Sequence, residues 1–486
     1  MLRRWGLISV SIECLLLAAA GAGADDTHYR AVPIGAHAIG LGGAFTGVAD
    51  DVSAAYFNPA GLALSGTIGI TGGFSINAWE RFELDRALDQ PDQSTDATDK
   101  FGRTVPVFIG GAVKFGAKDQ HGDARNALAL SVVEPNFSNV GIFLKLPTQP
   151  VGLSDSYQIR QNDRGTWYGV SYARRQTTKH AFGATLYLSV RKLYHSEVGL
   201  TLEGGTPISG DPDTFEGTSS AVRVDDLSFK AFHFVLRFGW LHSINSKLQL
   251  GVTAQLPGIP LKQRVDVFAQ EVINDNRDPT MPTTTSTYLD EKVGAKLPIP
   301  AELRAGLEYR PAEKVLLAFD AMLYSPVPAG NRIDSSAGSA AGGLFFDTDT
   351  QRLATGNVAI GGDFSISENV TIETGFFTDL SSAIKIPSDP TRYYNPRIHR
   401  FAGTLSVGLH VGGIALAVGS TFIYGRGDAT GLVVNQNNEL VDYTRTQATS
   451  RIIYLHLTGA TKAVVDLGTK AGRGIQHKRL EKKEQD

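Results

Sequence analysis

Residues 301–310 read AELRAGLEYR. Leu303, Ala305, Leu307 and Tyr309 alternate with Glu302, Arg304, Glu308 and Arg310, so an extended backbone puts apolar groups on one face and charges on the other. A stave in lipid needs this pattern. An arginine turned to lipid near mid-membrane costs about 2–4 kcal/mol, so the charged set must face a lumen. The same alternation recurs elsewhere. Phe232, Phe234, Leu236, Phe238 and Trp240 sort against His233 and Arg237, and Ile414, Leu416, Val418 and Phe422 sort against Ala415, Ala417, Gly419 and Thr421.

Fourteen segments carry the period: 66–78, 103–115, 126–136, 164–176, 181–195, 228–243, 247–267, 301–310, 314–325, 356–366, 370–379, 399–411, 414–426 and 450–460. Their connections sort by parity. Long polar ones (79–102, 137–163, 196–227, 268–300, 326–355, 380–398, 427–449) follow odd segments, and short ones follow even segments. A soluble sandwich has no reason to keep that parity, whereas an up-and-down outer-membrane barrel does. The expected fold is all-β, a fourteen-stranded antiparallel transmembrane β-barrel. Short turns on the periplasmic side would make both termini periplasmic. Trp79, Tyr324 and Tyr424 fall at loop ends and Trp240 and Tyr309 at turn ends, where interfacial aromatics are expected.

Composition allows this reading. Hydrophobic residues make up 42% of 486, and mean hydropathy is −0.08, as suits a wall in which every second strand residue meets lipid. A formal charge of −3 gives no case for nucleic acid. Residues 1–24 read as a signal peptide, with Arg3 and Arg4, an apolar run from Leu7 to Ala20, and Ala22-Gly23-Ala24 as cleavage site. Cys14, the one cysteine, would leave with it, excluding disulfides and thiolate metal sites. Residues 66–460 are then the barrel, and 461–486 a basic periplasmic tail.

Residues 25–65 differ from the rest. Gly35 to Ala63 reads GAHAIGLGGAFTGVADDVSAAYFNPAGLA, small-residue rich and without period two, long enough to fold back inside a barrel as a hatch. Gly42 and Gly43 permit tight turns. Asp50, Asp51 and Ser53 can cap a short helix through Ala54, Ala55 and Tyr56 that ends near Pro59; calcium at the two aspartates is the alternative. Gly40-x-Gly42 is no nucleotide fingerprint, because Phe45 fills the third glycine position and no strand precedes it.

The run GLGGAFTGVADDVSAAYFNPAGL, with Asn58-Pro59-Ala60, resembles the hatch signature of the FadL/TodX family of outer-membrane transporters for long-chain fatty acids and hydrocarbons. Weaker similarity runs through the Pro106 region, VVEPNF at 132–137 and the later strand pairs. The resemblance implies a fourteen-stranded barrel plugged by the hatch, a hydrophobic ligand caught by outer loops, a site inside, and lateral release through a gap at a kinked third strand. Pro135 ends the third segment here; it either opens the wall or simply stops the strand. Arg237 and Arg304 would face a ligand carboxylate, or pair with Glu302 or Glu308. Phe45 and Phe57 would wall the ligand, or pack the plug. Ligand-site residues beyond the NPA motif do not align with the family.

No G-x-S-x-G, H-E-x-x-H, Walker A or EF-hand pattern appears, and the eleven histidines are scattered. The expectation is no enzyme, no cofactor and no metal. A monomeric outer-membrane barrel, in contact with lipopolysaccharide, would take up hydrophobic small molecules passively. A FadL-like docking factor for a secretion or surface system, and a general porin, are the rivals.

Overall fold

The computed structural model describes residues 27–30, 34–64, 69–89, 94–118, 124–147, 154–208, 211–275, 283–334, 346–411, 414–434 and 440–461. The expected leader and the tail beyond Thr461 lie outside the described residues. Period-two segments become the staves. In chain order they are β1 (Ile70–Asp89), β2 (Ser94–Lys118), β3 (Ala124–Pro147), β4 (Ser154–Arg175), β5 (His180–Ile208), β6 (Asp211–Asn245), β7 (Leu248–Gln255), β8 (Ile259–Asp275), β9 (Thr284–Gly294), β10 (Glu302–Ala312), β11 (Val315–Tyr324), β12 (Thr355–Ser365), β13 (Val370–Asp379), β14 (Arg397–Val411), β15 (Ile414–Val434) and β16 (Leu440–Thr461).

Fourteen of these close a ring. The order runs β5-β4-β3-β2-β1-β16-β15-β14-β13-β12-β11-β10-β7-β6, and β6 pairs back onto β5. The closing ladder is long, from His180↔His242 to Ile208↔Asp211. Closure pairs each stave with two neighbours, which a wall in lipid requires because each unpaired backbone group there would cost several kcal/mol. Among the described residues the β2–β3 ladder alone stops part-way, at Phe108↔Val133. None of the described helices is long and apolar enough to cross a membrane.

The two faces sort as the alternation requires. Leu303, Tyr309, Phe234, Phe238, Leu416 and Val418 are exposed outside, while Glu302, Arg304, Glu308, His233 and Arg237 are buried inside. An apolar outer surface around a polar inner one is the arrangement of a transmembrane barrel. Two residues depart from expectation. Tyr324 is buried rather than interfacial; it shares the inward parity of Leu316, Ala318, Asp320 and Met322 on β11 and stacks on Tyr29 at 4.4 Å. Arg310 lies exposed at the turn and reaches back to Glu308.

The segment expected at 247–267 divides. Leu256-Pro257-Gly258 interrupts it, since Pro257 has no N–H for the ladder. β7 is a stave between β6 and β10. β8 continues along the same edge of β6, from Phe234↔Ile259 to Ser219↔Asp275, and carries β9 instead of a stave. The stave count is unchanged. Much of the expected long connections 79–102, 137–163, 196–227 and 427–449 is also strand: their described residues belong to β1 to β6, β15 and β16 and continue as paired ribbons. β6 has 35 residues, far beyond the roughly 9–11 that a tilted strand needs to cross a bilayer. A ribbon standing in water needs no apolar face, which is why it reads as loop.

The bore holds the N-terminal segment. Three single-turn helices, α1 (His37–Gly40), α2 (Ala54–Phe57) and α3 (Gly61–Leu64), are joined by turns and buried together in one core with the inner wall. Residues 27–30 lie at the long-connection end of the bore, where the Tyr29 and Arg30 amides donate to Asp379. β16 ends at the short-turn end, with Thr461 opposite Ile70 and Ile414. Strand parity fixes where the wall begins, and says nothing of where a segment threading the bore begins.

Candidate functional site

A hatch made mostly of turns has no ladder of its own, so its buried carbonyls and amides need partners from the wall. Inward side chains supply them. The Tyr187 and Thr185 hydroxyls each donate to Ala55 O at 2.9 Å, Thr253 donates to Phe57 O at 2.9 Å, Gln249 to Gly47 O at 2.7 Å, and Thr404 to Gly40 O at 2.8 Å. Asp320 on β11 accepts from the backbone of Phe45 (3.1 Å) and Thr46 (2.9 Å) and from the Thr46 hydroxyl (2.6 Å). Asp320 was not singled out from the sequence, although a lone carboxylate at inward parity in mid-strand was the signal.

Where the wall offers no side chain it offers glycine. A Cβ on Gly183 would sit 2.4 Å from the Pro59 carbonyl carbon, on Gly239 2.1 Å from Asn58 Oδ1, and on Gly251 2.0 Å from Thr46 O. On Gly306 it would sit 2.6 Å from Gly47 N, on Gly361 2.5 Å from Leu41 O, and on Gly375 2.3 Å from Gly42 N. From β5 round to β13 the hatch backbone therefore lies directly on the wall. Gly42 (φ +62°) and Gly43 (φ +73°) form the turn that lets it do so, in the region where side chains are strained.

Asn58, of the NPA motif, is fully buried. Its amide donates to Thr46 O (2.9 Å) and Trp240 O (3.0 Å) and its Oδ1 accepts from Ala60 N (3.2 Å), so one side chain joins two hatch turns to β6. Pro59 and Ala60 follow it onto Gly183. Asp51 accepts from Ser53 N (2.7 Å) and Ser53 Oγ (2.5 Å) in a local turn just ahead of α2, and Ser53, at the N-cap position, makes no side-chain capping bond. Asp50 does not cap. It accepts from His37 Nδ1 at 3.0 Å. Burial and the Asp50 charge raise the Asp51 carboxyl, and Ser53 restrains the shift. Burial opposes a charge on His37, yet the Asp50 and Asp363 carboxylates hold the imidazole well above its usual range.

On the long-connection side of the hatch, aromatic and cationic groups meet. Arg237 and Arg304 both pair with Glu302, and Arg237 also bonds Tyr56 O and Gln255 (2.8 Å). Their guanidinium carbons lie 4.1 and 5.4 Å from the Tyr56 ring centroid, a stacked cation–π arrangement. Trp167 sits 6.2 Å from Tyr56 and 5.5 Å from Tyr187. Both arginines are thus paired within the wall, through Glu302. Phe45 is fully buried against Phe57 (5.4 Å), which is plug packing, while Phe57 borders a cavity of ≈ 30 Å³ with Tyr29, Tyr56 and Arg304.

A second cavity of ≈ 40 Å³ is lined by Tyr29, Tyr56, Pro135, Trp167, Arg237 and Tyr324, among others. Pro135 therefore faces the bore, at a bulge between Val133 and Asn136 in the β3–β4 ladder. On its other edge β3 pairs with β2 from Lys118↔Ala124 to Phe108↔Val133, and no described pair joins them beyond. β2 above that point goes on with β1, and β3 with β4. Both Pro106 and Pro135, which lack an N–H, sit just past the last pair.

No family model and no curated protein matches the chain. Solved structures do. A Pseudomonas aeruginosa FadL homologue is 15% identical, with 90% of this chain and 99% of that chain covered, at a TM-score of 0.57. The P. putida toluene transporter TodX is 12% identical, with 88% and 98% covered, at 0.53. At such identities the likeness shows the fold: the chain has the β-barrel of the FadL homologue and TodX structures.

Proposed function

We propose that the chain is an outer-membrane passive transporter for hydrophobic small molecules, long-chain fatty acids or aromatic or aliphatic hydrocarbons, with the hatch as gate and lateral release through the wall. It acts without catalysis, as a monomer set in outer-membrane lipid and lipopolysaccharide. The observation that carries the reading is the end of the β2–β3 ladder at Phe108↔Val133, beside an aromatic pocket that Pro135 helps to line. An apolar solute leaving that pocket sideways would meet lipid and need not cross the polar turn end of the bore.

Space sets the gating requirement. A pocket for a drug-sized ligand has about 300–1,000 Å³, whereas the cavity beside Pro135 has ≈ 40 Å³. Entry therefore requires Tyr56 and the rest of α2 to move, and α2 is held by Arg237, Tyr187 and Thr253. Asn58-Pro59-Ala60, Gly42, Gly43, Asp50 and Asp51 belong to the gate in this sense. A ligand carboxylate would have to compete with Glu302 for Arg237 and Arg304, whereas a neutral hydrocarbon would not.

Uptake of a labelled long-chain fatty acid and of toluene into proteoliposomes tests the reading. Uptake above the protein-free rate is expected, and a lower rate from Pro135→Val if the break serves exit. Uptake at the protein-free rate from a folded barrel would overturn it. That outcome favours docking of a secretion or surface partner, the second reading, to which the far-reaching β5–β6 ribbon lends itself.

A further inference from the structure

We propose that His37, Asp363 and Glu373 form a site for a divalent transition-metal ion, with Zn²⁺ the best suited, that latches the hatch to the wall at the short-turn end of the bore. Asp363 on β12 and Glu373 on β13 are register partners and both point inward. Two carboxylates directly opposite one another repel. His37 on α1 comes between them from the hatch, with Nε2 3.4 Å from Asp363 Oδ2. One donor atom from each of the three residues lies within 4.8 Å of the others, near the separation that two metal–ligand bonds of about 2.0–2.2 Å can bridge.

Three details distinguish this from an ordinary ion-pair cluster. Glu373 is only 6% exposed, yet its Oε2, like Asp363 Oδ1, has no hydrogen-bond partner among the described residues. Buried carboxylate oxygens are costly to leave so. Second, Asp50 lies 3.0 and 3.2 Å from His37 Nδ1 through its two oxygens. That bond holds Nδ1 against a carboxylate and turns Nε2 toward the wall, where an incoming metal ion would displace the Nε2 proton, giving the carboxylate–histidine–metal arrangement of metalloprotein sites. Third, the cluster borders a cavity of ≈ 380 Å³, with room for waters to complete a coordination sphere.

The donor set selects the ion. One imidazole with two carboxylates suits Zn²⁺ better than Ca²⁺ or Mg²⁺, which prefer oxygen throughout. Calcium on Asp50 and Asp51 is not what these side chains are arranged for, since they are engaged with His37 and Ser53. Because the ligands come from the hatch and from two staves, the ion would hold the plug without touching the pocket near Pro135. The site meets the transport reading only at the hatch, and its binding test does not depend on that reading.

Full-length protein in detergent, stripped with a chelator, is titrated calorimetrically with Zn²⁺, and with Mg²⁺ as control. One equivalent of Zn²⁺ is expected, weakened at least about 100-fold by Glu373→Gln, Asp363→Asn or His37→Ala, and about 10- to 100-fold by Asp50→Asn. Heat-modifiable migration on gels identifies the variants that keep the barrel. Zn²⁺ should also slow hydrogen exchange across 35–64 in the wild type and not in Glu373→Gln. No saturable binding, or binding unchanged in the folded variants, would overturn the site. Binding that leaves hatch exchange unchanged would overturn the latch.

Discussion

Asn58→Ala tests how the hatch is held. The amide is fully buried, and its loss removes donors to Thr46 O and Trp240 O and the acceptor for Ala60 N. Trp240 belongs to β6 and keeps its sheet neighbours, so the groups stranded are Thr46 O and Ala60 N, both in the hatch. An unsatisfied buried group costs about 1–3 kcal/mol, so with partial relaxation the docked hatch should lose about 2–4 kcal/mol. That multiplies the undocked population by about 30- to 700-fold. The staves keep every ladder bond. Hydrogen exchange read by mass spectrometry should therefore show faster exchange over 35–64 and unchanged exchange in β10 to β14. Asn58→Asp should be worse, because a carboxylate would face two carbonyls. Wild-type exchange across the hatch, or loss of protection spread evenly through the barrel, would refute the reasoning.

Other residues probe the same grip from the wall. In Gly251→Ala the new Cβ would lie 2.0 Å from Thr46 O, so the hatch must shift, at about 1–3 kcal/mol of overpacking; barrel migration on gels should stay normal while hatch exchange rises. Asp320→Asn replaces a carboxylate that accepts from Phe45 N, Thr46 N and Thr46 Oγ1 by a group with one acceptor oxygen, costing about 1.5–3 kcal/mol, read as earlier proteolysis within 35–64. Glu302→Gln removes the carboxylate shared by Arg237 and Arg304, and should raise fatty-acid binding while leaving toluene binding unchanged in equilibrium measurements.

The wall was legible because lipid sorts every second residue, and 301–310 shows that sorting on both faces. Tyr324 was misplaced where two rules competed: position at a strand end suggested an interface, while parity with Leu316 to Met322 put it in the bore. Parity had the firmer physical basis. The division of 247–267 had a local sign in Pro257-Gly258, overridden by the apolar residues on either side. β9 had none, since residues 284–294 are mostly exposed with none buried, and a strand without a buried face leaves no period to read.

The hatch was legible as a segment but not as a set of contacts. Its small residues and NPA run mark it, yet what holds it, Asp320, Thr253 and the inward glycines, is scattered over staves that only closure brings together. His37, Asp363 and Glu373 illustrate the limit. Asp363 and Glu373 face each other across one hairpin, and His37 reaches them only because the hatch is inside the ring.

Single-channel conductance in a planar bilayer tests most directly whether the N-terminal segment plugs a closed ring. Wild-type protein should pass little ionic current, and protein lacking residues 25–65 should open a steady conductance of porin type. A large, constant conductance from the wild type, or none after the deletion from a barrel that still folds, would contradict it.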